Sequence, residues 1–283
     1  MRQILGGKSL SCNTNTYGRV FFSDSKLKNA FNDIRSLWEV ARLQHLTLLL
    51  VFAYANPPLP ISAKGKLFCK KAVIKWIKDN PFAYGPHYIS SMECGLRIPV
   101  FIYCLKIIDS LSLTESSTIH EAIFLHAWFI SNRLSLYSSL GNHTIAECVG
   151  LVFAGALFKK KPEGQKWIED GVTLLKKELG HQVLKDGGPA EQSFNYHRFV
   201  LDLYWLAVDF LERNDFHDCV DIKPRLMRGE HFLAAFQDEC GSMPAIGDSD
   251  DGFAVAPDIA PERSGTSGLK KRINIFEYSG YTV

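Results

Sequence analysis

From Ile145 to Phe158 the sequence carries one charged side chain, Glu147, in a run that is apolar whichever way it is wound. A helix with no polar stripe has no face to give to water, so other helices must enclose it. That requirement predicts layered helices around a large core. The composition allows it, since 46% of the 283 residues are hydrophobic. Thr144-Ile145-Ala146-Glu147 reads as a capping box that starts the enclosed helix.

The flanking segments also follow the helical period. One helix is predicted from Asp33 to about Ala55, with Leu43, Leu46, Leu50 and Ala53 recurring on one face and Asn56-Pro57-Pro58-Leu59-Pro60 stopping it. Within it, Glu39 and Arg42 read as a surface pair or a buried one, the surface pair being the commoner case. Ala63–Ile77 turns Leu67, Val73, Ile74 and Ile77 inward and five lysines outward. Tyr88–Leu113 is a long helix kinked at Pro99, and Glu115–Ser139 is its antiparallel neighbour. Gly164–Leu179 is amphipathic through Trp167, Val172, Leu175 and Leu179, and Tyr196–Leu211 and Ile222–Phe236 complete the set. No segment before residue 240 alternates as a strand does.

Alternation of enclosed and amphipathic helices predicts an all-α assembly of helical hairpins. Residues 1–30 are expected to be an irregular lead-in and 31–240 the helical domain. Over 241–283 the texture changes to an acid-rich loop, a Pro, Ser and Gly-rich linker, and the strand-like stretches Ile273–Tyr278 and Tyr281–Val283. A strand with no later partner cannot bury its face, so these stretches predict the first strands of a truncated β domain.

With 32 basic and 30 acidic residues the net charge is +2, which gives no global field for nucleic acid. Lys159-Lys160-Lys161 and Lys270-Lys271-Arg272 read as solvated loop ends. Seven widely spaced cysteines, with no Cys-x-x-Cys, read as thiols rather than a disulfide frame or a zinc site. No apolar run reaches the roughly 18 residues of a membrane span, and no signal-peptide core is visible at the start. A membrane partner is therefore not expected. Asp248-Ser249-Asp250-Asp251-Gly252 lacks the other ligand positions of a calcium loop and is expected to be a rigid, hydrogen-bonded cleft lining, so neither metal nor cofactor is predicted.

Chemistry concentrates in two polar islands. One is Asp186-Gly187-Gly188-Pro189-Ala190-Glu191-Gln192-Ser193-Phe194-Asn195-Tyr196-His197-Arg198, a turn that opens into a helix. The other, Gly141-Asn142-His143-Thr144, opens the enclosed helix. No Gly-x-Ser-x-Gly elbow, His-Glu-x-x-His or phosphate-cradling glycine loop is present. An asparagine amide at the positive end of a helix holds a carboxylate without needing a proton. That suits elimination on a uronic acid, whose carboxylate must be neutralised before the C5 proton leaves. A tyrosine acting as base needs nearby cations to stabilise its phenolate, and His197 and Arg198 are the nearest in sequence to Tyr196.

In the order Trp38-Glu39-x-x-Arg42, Asn80-Pro81 with Tyr84-Gly85, Glu93 to Arg97, Gly141-Asn142-His143, Asp186-Gly187-Gly188 with Glu191-Gln192-Ser193 and Tyr196-His197, then Gly247-Asp248-Ser249-Asp250, the chain resembles polysaccharide lyases of heparinase II/III type. The resemblance covers about residues 30 to 283. It implies an amino-terminal (α/α) toroid, a carboxyl-terminal antiparallel β-sandwich, a site between them, and cleavage of an acidic polysaccharide by β-elimination. By that resemblance Asn142 neutralises the uronate carboxylate, Tyr196 is the general acid and also the base, and His197 supports catalysis. His143, Glu191, Arg198, His87, Tyr88, Tyr84 and Asp248 are implied to meet the substrate. His87-Tyr88 departs from the Asn-Trp often found there, and a further histidine expected from the β domain would lie beyond Val283. The missing β domain is thus expected to complete the site, and a periplasmic or secreted location is implied. A uronate C5-epimerase and a non-catalytic domain binding acidic glycans are the alternatives, with heparan-like, alginate-like and capsular polymers all open as the glycan.

Overall fold

The computed structural model describes residues 21–23, 34–137, 139–248, 252–263 and 274–283. The expected lead-in over 1–30 falls almost wholly outside the described residues, as do Asp33, Asp250, Asp251 and the cluster Lys270-Lys271-Arg272.

The helices are α1 (Arg35–Ala41), α2 (Gln44–Ala55), α3 (Pro60–Asp79), α4 (Ser91–Ile107), α5 (Leu113–Ser131), α6 (Asn142–Leu157), α7 (Pro162–Gln182), α8 (Phe194–Arg213) and α9 (Lys223–Phe236). A single 3₁₀ turn, Pro86–Tyr88, precedes α4. They pack as hairpins: α2 with α3, α4 with α5, α6 with α7, α8 with α9. The first helices of the hairpins, α2, α4, α6 and α8, lie side by side in chain order, and the second helices flank them outside. This double layer is the architecture of an (α/α) toroid, and the molecule is mostly helical as the sequence predicts.

The apolar run does what its pattern demands. In α6 every residue from Thr144 to Gly155 is buried, and in α4 every residue from Ser91 to Ile102. The two helices touch through glycines: a Cβ on Gly150 would stand 2.7 Å from the Cα of Gly95, and one on Gly95 would stand 2.5 Å from the carbonyl oxygen of Ala146. Backbones this close leave no space between them for solvent. On the outer layer α7 buries Trp167, Val172, Leu175 and Leu179, its predicted face. In α3 Leu67 is exposed, contrary to expectation, and the buried row is Ser62, Cys69 and Val73.

Three local expectations are corrected. The helix predicted through 33–55 breaks at Leu43, whose φ of 61° is left-handed. Arg42 there turns inward and binds Glu93 of α4 with two bonds of 2.9 Å, both side chains being buried, instead of pairing with Glu39 at the surface. Secondly, α5 starts at a capping box, Ser112 with Glu115, and stops at Ser131 rather than Ser139. Residues 132–137 beyond it form a strap that is bonded to the neighbouring helices. The Ser91 hydroxyl donates to the Arg133 carbonyl (2.8 Å), and Ser135 donates its N–H (2.8 Å) and hydroxyl (2.7 Å) to the Glu147 carboxylate. Thirdly, that use of Glu147 overrides the predicted capping box. Thr144 donates to the Ser135 carbonyl, and α6 begins earlier, at Asn142, behind Gly141 with φ 129°.

At the carboxyl end β1 (Ile275–Phe276) pairs antiparallel with β2 (Tyr281–Thr282), Phe276 opposite Tyr281. Phe276 and Tyr281 pack on Phe232 and Phe236 of α9, and Tyr281 also meets Phe194 of α8. Phe276 is buried by this packing, while Ile275, next to it on the same strand, is left exposed. None of the described helices is long and apolar enough to cross a membrane.

Candidate active site

The two polar islands meet where α6 and α8 begin. Gly141 takes a backbone conformation that side chains rarely adopt, and a Cβ there would stand 2.4 Å from the Glu191 carboxylate. Glycine thus lets Glu191 close onto the helix start. Its carboxylate accepts from the Asn142 backbone N–H (3.0 Å) and from Asn142 Nδ2 (2.9 Å). An anion is therefore held at the positive end of α6 by a backbone donor and a side-chain amide together. Asn142 is half-buried and Glu191 exposed, so solvent reaches the pair.

Glu191 is delivered by the turn before α8. Leu184 N–H donates to the Gly188 carbonyl (2.9 Å) and Ala190 N–H to the Gln182 carbonyl (3.1 Å). The two glycines serve packing: a Cβ on Gly187 would meet the Arg228 carbonyl oxygen at 2.1 Å, and one on Gly188 would meet Ser279 at 2.3 Å. Asp186 accepts from Gly188 N–H (3.0 Å) and from Ser279 N–H (2.7 Å) and hydroxyl (3.0 Å). Burial raises its pKa, but those bonds outweigh it and the carboxyl ends below its ordinary value. Asp186 thus ties the turn to the terminal hairpin.

Tyr196 sits on the first turn of α8. Ser193 caps that helix, accepting from Tyr196 N–H (3.2 Å) while its hydroxyl donates to the Asp248 carbonyl (2.6 Å). Phe194 N–H donates to the Ile246 carbonyl (3.1 Å), and Gly247, with φ 78°, allows the loop to lie against Gln192 and Ser193. The loop so docked brings the Asp248 carboxylate to the Tyr196 hydroxyl, which donates to it at 2.9 Å. Tyr196 is half-buried and Asp248 exposed. Glu191 and Tyr196 line one shallow depression with Gln182, Pro189, His197 and Val200.

The remaining expected residues fall in different places. His143 is half-buried on α6 beside Asn142. His197 is buried, donates from Nε2 to the Gly187 carbonyl (2.8 Å), and has its pKa pushed down to about 4 by burial, against the pull of that carbonyl and Asp186. It braces the turn from beneath. Arg198 leaves α8 about 100° further round, where its charge acts on Asp202; burial raises the Asp202 pKa, while Arg263 and Arg198 oppose the rise. Of the two cations expected to support a Tyr196 phenolate, His197 is thus bonded to Gly187 and kept neutral near pH 7 by burial, while Arg198 leaves the helix on another side.

His87 and Tyr88, expected at a sugar subsite, lie in the core instead, 6% and 2% exposed. They surround Arg97, which is fully buried, with its guanidinium 4.9 Å from the Trp76 ring and 5.7 Å from the Tyr88 ring. Arg97 donates to His126 Nε2 (3.2 Å) and the His87 carbonyl (2.6 Å), and burial with that charge drives the His87 pKa down to about 3. Side chains so enclosed do not reach a sugar, and that expectation is corrected. Tyr84 is exposed, on a separate hollow with Trp128. Among the described residues no group of three or more His, Cys, Asp or Glu is placed to hold a metal.

Sequence reasoning missed two things. Gln182, the last residue of α7, carries no motif yet lines the depression. Asp248 was expected to meet substrate, and its bond to Tyr196 spans 52 positions with no spacing rule to reveal it.

Residues 72–250 match the family model described as Heparinase II/III N-terminus. A heparin-sulfate lyase of Bacteroides thetaiotaomicron is 31% identical over 145 residues, 49% of this chain and 20% of that protein. One of Bacteroides stercoris is 31% identical over 87 residues, 29% of this chain and 13% of that protein. The chain therefore spans only a minor part of these relatives' length. Among solved structures, heparinase III superposes with a TM-score of 0.59 at 20% identity, covering 73% of this chain and 32% of that one. A mutant heparan sulfate lyase HepC of Pedobacter heparinus gives 0.55 at 17% identity, covering 76% and 34%.

Proposed function

Because the chain belongs to the family of the heparinase II/III amino-terminal domain, we propose that it is the toroid part of a polysaccharide lyase acting on a uronic-acid-containing glycan by β-elimination. The observation that carries this reading is the Glu191 carboxylate held by Asn142 at the mouth of α6, with Glu191 and Tyr196, of the first turn of α8, lining one depression. In a lyase the Asn142 donors grip the acid of the sugar and the Tyr196 hydroxyl moves its proton.

Glu191 stands in for the substrate carboxylate. When a uronate arrives, its carboxylate takes the Asn142 donors and Glu191 swings to solvent, which is open to it because Glu191 is exposed. Neutralising that carboxylate lowers the cost of the enolate-like charge that develops as C5 loses its proton. Tyr196 then works with Asp248. The phenolic oxygen takes the C5 proton as its own proton passes to Asp248; the phenol next protonates the C4 oxygen as the C4–O bond breaks and recovers a proton from Asp248. The net result is a C4–C5 double bond, a free hydroxyl on the leaving sugar, and an unchanged site. This assigns the help that Tyr196 needs to a carboxylate acting as proton acceptor rather than to the cations expected from the sequence. His197 and His143 are positioning residues, the former through the Gly187 turn. The relatives are much longer, and a further domain closing over these helix mouths would complete the site.

The test is turnover of a panel of uronate polymers by the full-length polypeptide, followed by the ultraviolet absorbance of the unsaturated product. Its appearance with the parent and loss in Tyr196→Phe, with glycan binding retained, is the expected result. Inversion at C5 without unsaturation identifies an epimerase, and binding without either product leaves a glycan-binding domain; each overturns the lyase reading.

A further inference from the structure

We propose that the hollow bordered by Tyr84, Trp128 and Arg133 is a second sugar-binding subsite, taking one anionic pyranose of the polymer away from the reacting bond. The inference rests on the lyase reading, which supplies the polymer. The hollow is open to solvent and offers about 520 Å³, within the range of roughly 300–1,000 Å³ in which small ligands bind. Its walls are rings: Tyr84 is 42% exposed and Trp128 48%, while Phe82 and Phe129 close the floor. Exposed aromatic faces on a rigid floor match the apolar C–H face of a pyranose, and they leave the sugar's hydroxyls to water.

The charge is placed to suit an acidic sugar. The Arg133 guanidinium lies 4.6 Å from the Phe22 ring and 5.4 Å from the Phe129 ring. Ring contacts position the cation while leaving its N–H fork for a planar anion, the geometry in which arginine binds carboxylate or sulfate with two parallel bonds. Arg133 is exposed, and its backbone is fixed by Ser91. Two residues later Ser135 is pinned to Glu147 of α6, the helix that Asn142 begins. A sugar bound at Arg133 is thereby registered to the helix mouth where the reaction is assigned.

The backbone carries a further sign. Ala83, next to Tyr84, has φ 64°, an uncommon conformation for a residue with a side chain, and its carbonyl accepts from Phe22 N–H at 3.1 Å. Local strain that aims an exposed aromatic is a feature found where ligands bind.

The experiment uses two probes, a heparan sulfate hexasaccharide and its desulfated counterpart, with dissociation constants measured by calorimetry on the intact chain. Trp128→Ala and Arg133→Gln are each expected to weaken binding roughly tenfold, with melting temperatures unchanged and with Tyr54→Ala, an exposed aromatic on α2, as the neutral control. Equal loss with both probes assigns Arg133 to a carboxylate; loss confined to the sulfated probe assigns it to a sulfate. Binding that both variants retain, while Asn142→Ala weakens it, overturns the subsite and leaves the proposed function standing. Absence of binding by the parent overturns the subsite, and the proposed function is then decided by turnover of the full-length polypeptide. Should Trp128→Ala unfold, Arg133→Gln decides alone, since its side chain is at the surface.

Discussion

Two regions of this chain combine histidine, tyrosine and a charged partner, and burial separates them. Around Arg97 the polar groups are sealed inside: His87, Tyr88 and His126 are 6%, 2% and 1% exposed, and burial drives the His126 pKa well below its ordinary value, Arg97 adding to the effect. At the mouths of α6 and α8, Asn142, Tyr196 and Asp248 are half-buried or exposed, and their bonds run between elements far apart in the chain. The first arrangement stores specificity of packing. The second leaves donors and acceptors that a ligand can exchange. Residue type alone is therefore a poor guide to which cluster is chemical.

The largest expected effect is at the rim. Tyr196→Phe should reduce turnover by about 10²–10⁴ while changing stability by less than about 1 kcal/mol, since it deletes one accessible hydrogen bond. Parallel turnover and melting measurements check both halves, and a large loss of stability would erase the contrast. The converse variant is Glu93→Gln in the interior. It leaves Arg42 buried with its countercharge removed, and should cost about 3–5 kcal/mol, seen as a fall in melting temperature of roughly 10 °C.

A third effect is on pH. His197 and His87 have folded pKa values near 4 and 3, depressed from 6.5 chiefly by burial. A depressed histidine refuses a proton that the unfolded chain accepts, so its contribution to stability is complete above pH 6.5 and is lost as the pH falls towards the folded value. For His197 that loss is about 3 kcal/mol, and denaturant midpoints measured between pH 7 and pH 4 should show it. His197→Gln should flatten the slope; an unchanged slope would mean that His197 is accessible and belongs with the rim. The smallest effect concerns Glu191. If it is a stand-in for the substrate acid, Glu191→Ala should lower KM a few-fold with kcat nearly unchanged, whereas a fall in kcat at constant KM would make it the residue that orients Asn142.

The helical layers were legible because an apolar run such as Ile145–Phe158 has one solution, enclosure, and because amphipathic runs such as that on α7 name their own buried face. The failures occurred where a long-range partner outbid local pattern. Arg42 left a helical surface for Glu93, and Glu147 left its cap for Ser135. The two islands could be read as polar helix starts. Their union could not, since it depends on Gly141 admitting Glu191 and on Gly247 letting Asp248 reach Tyr196, contacts without a sequence period. His87 and Tyr88 were misplaced for the complementary reason: the short 3₁₀ turn that carries them has no amphipathic pattern to declare that it points inward.

The most direct test is a nitrogen-edited NMR titration of this chain with a glucuronate-containing disaccharide, following the Asn142 side-chain amide and the backbone amides of Tyr196 and Asp248. One saturable transition moving all three, with the Glu191 carboxylate released from Asn142, is the result expected of a single acid-gripping, proton-moving site. Shifts at one helix mouth without the other, or at neither, would contradict it.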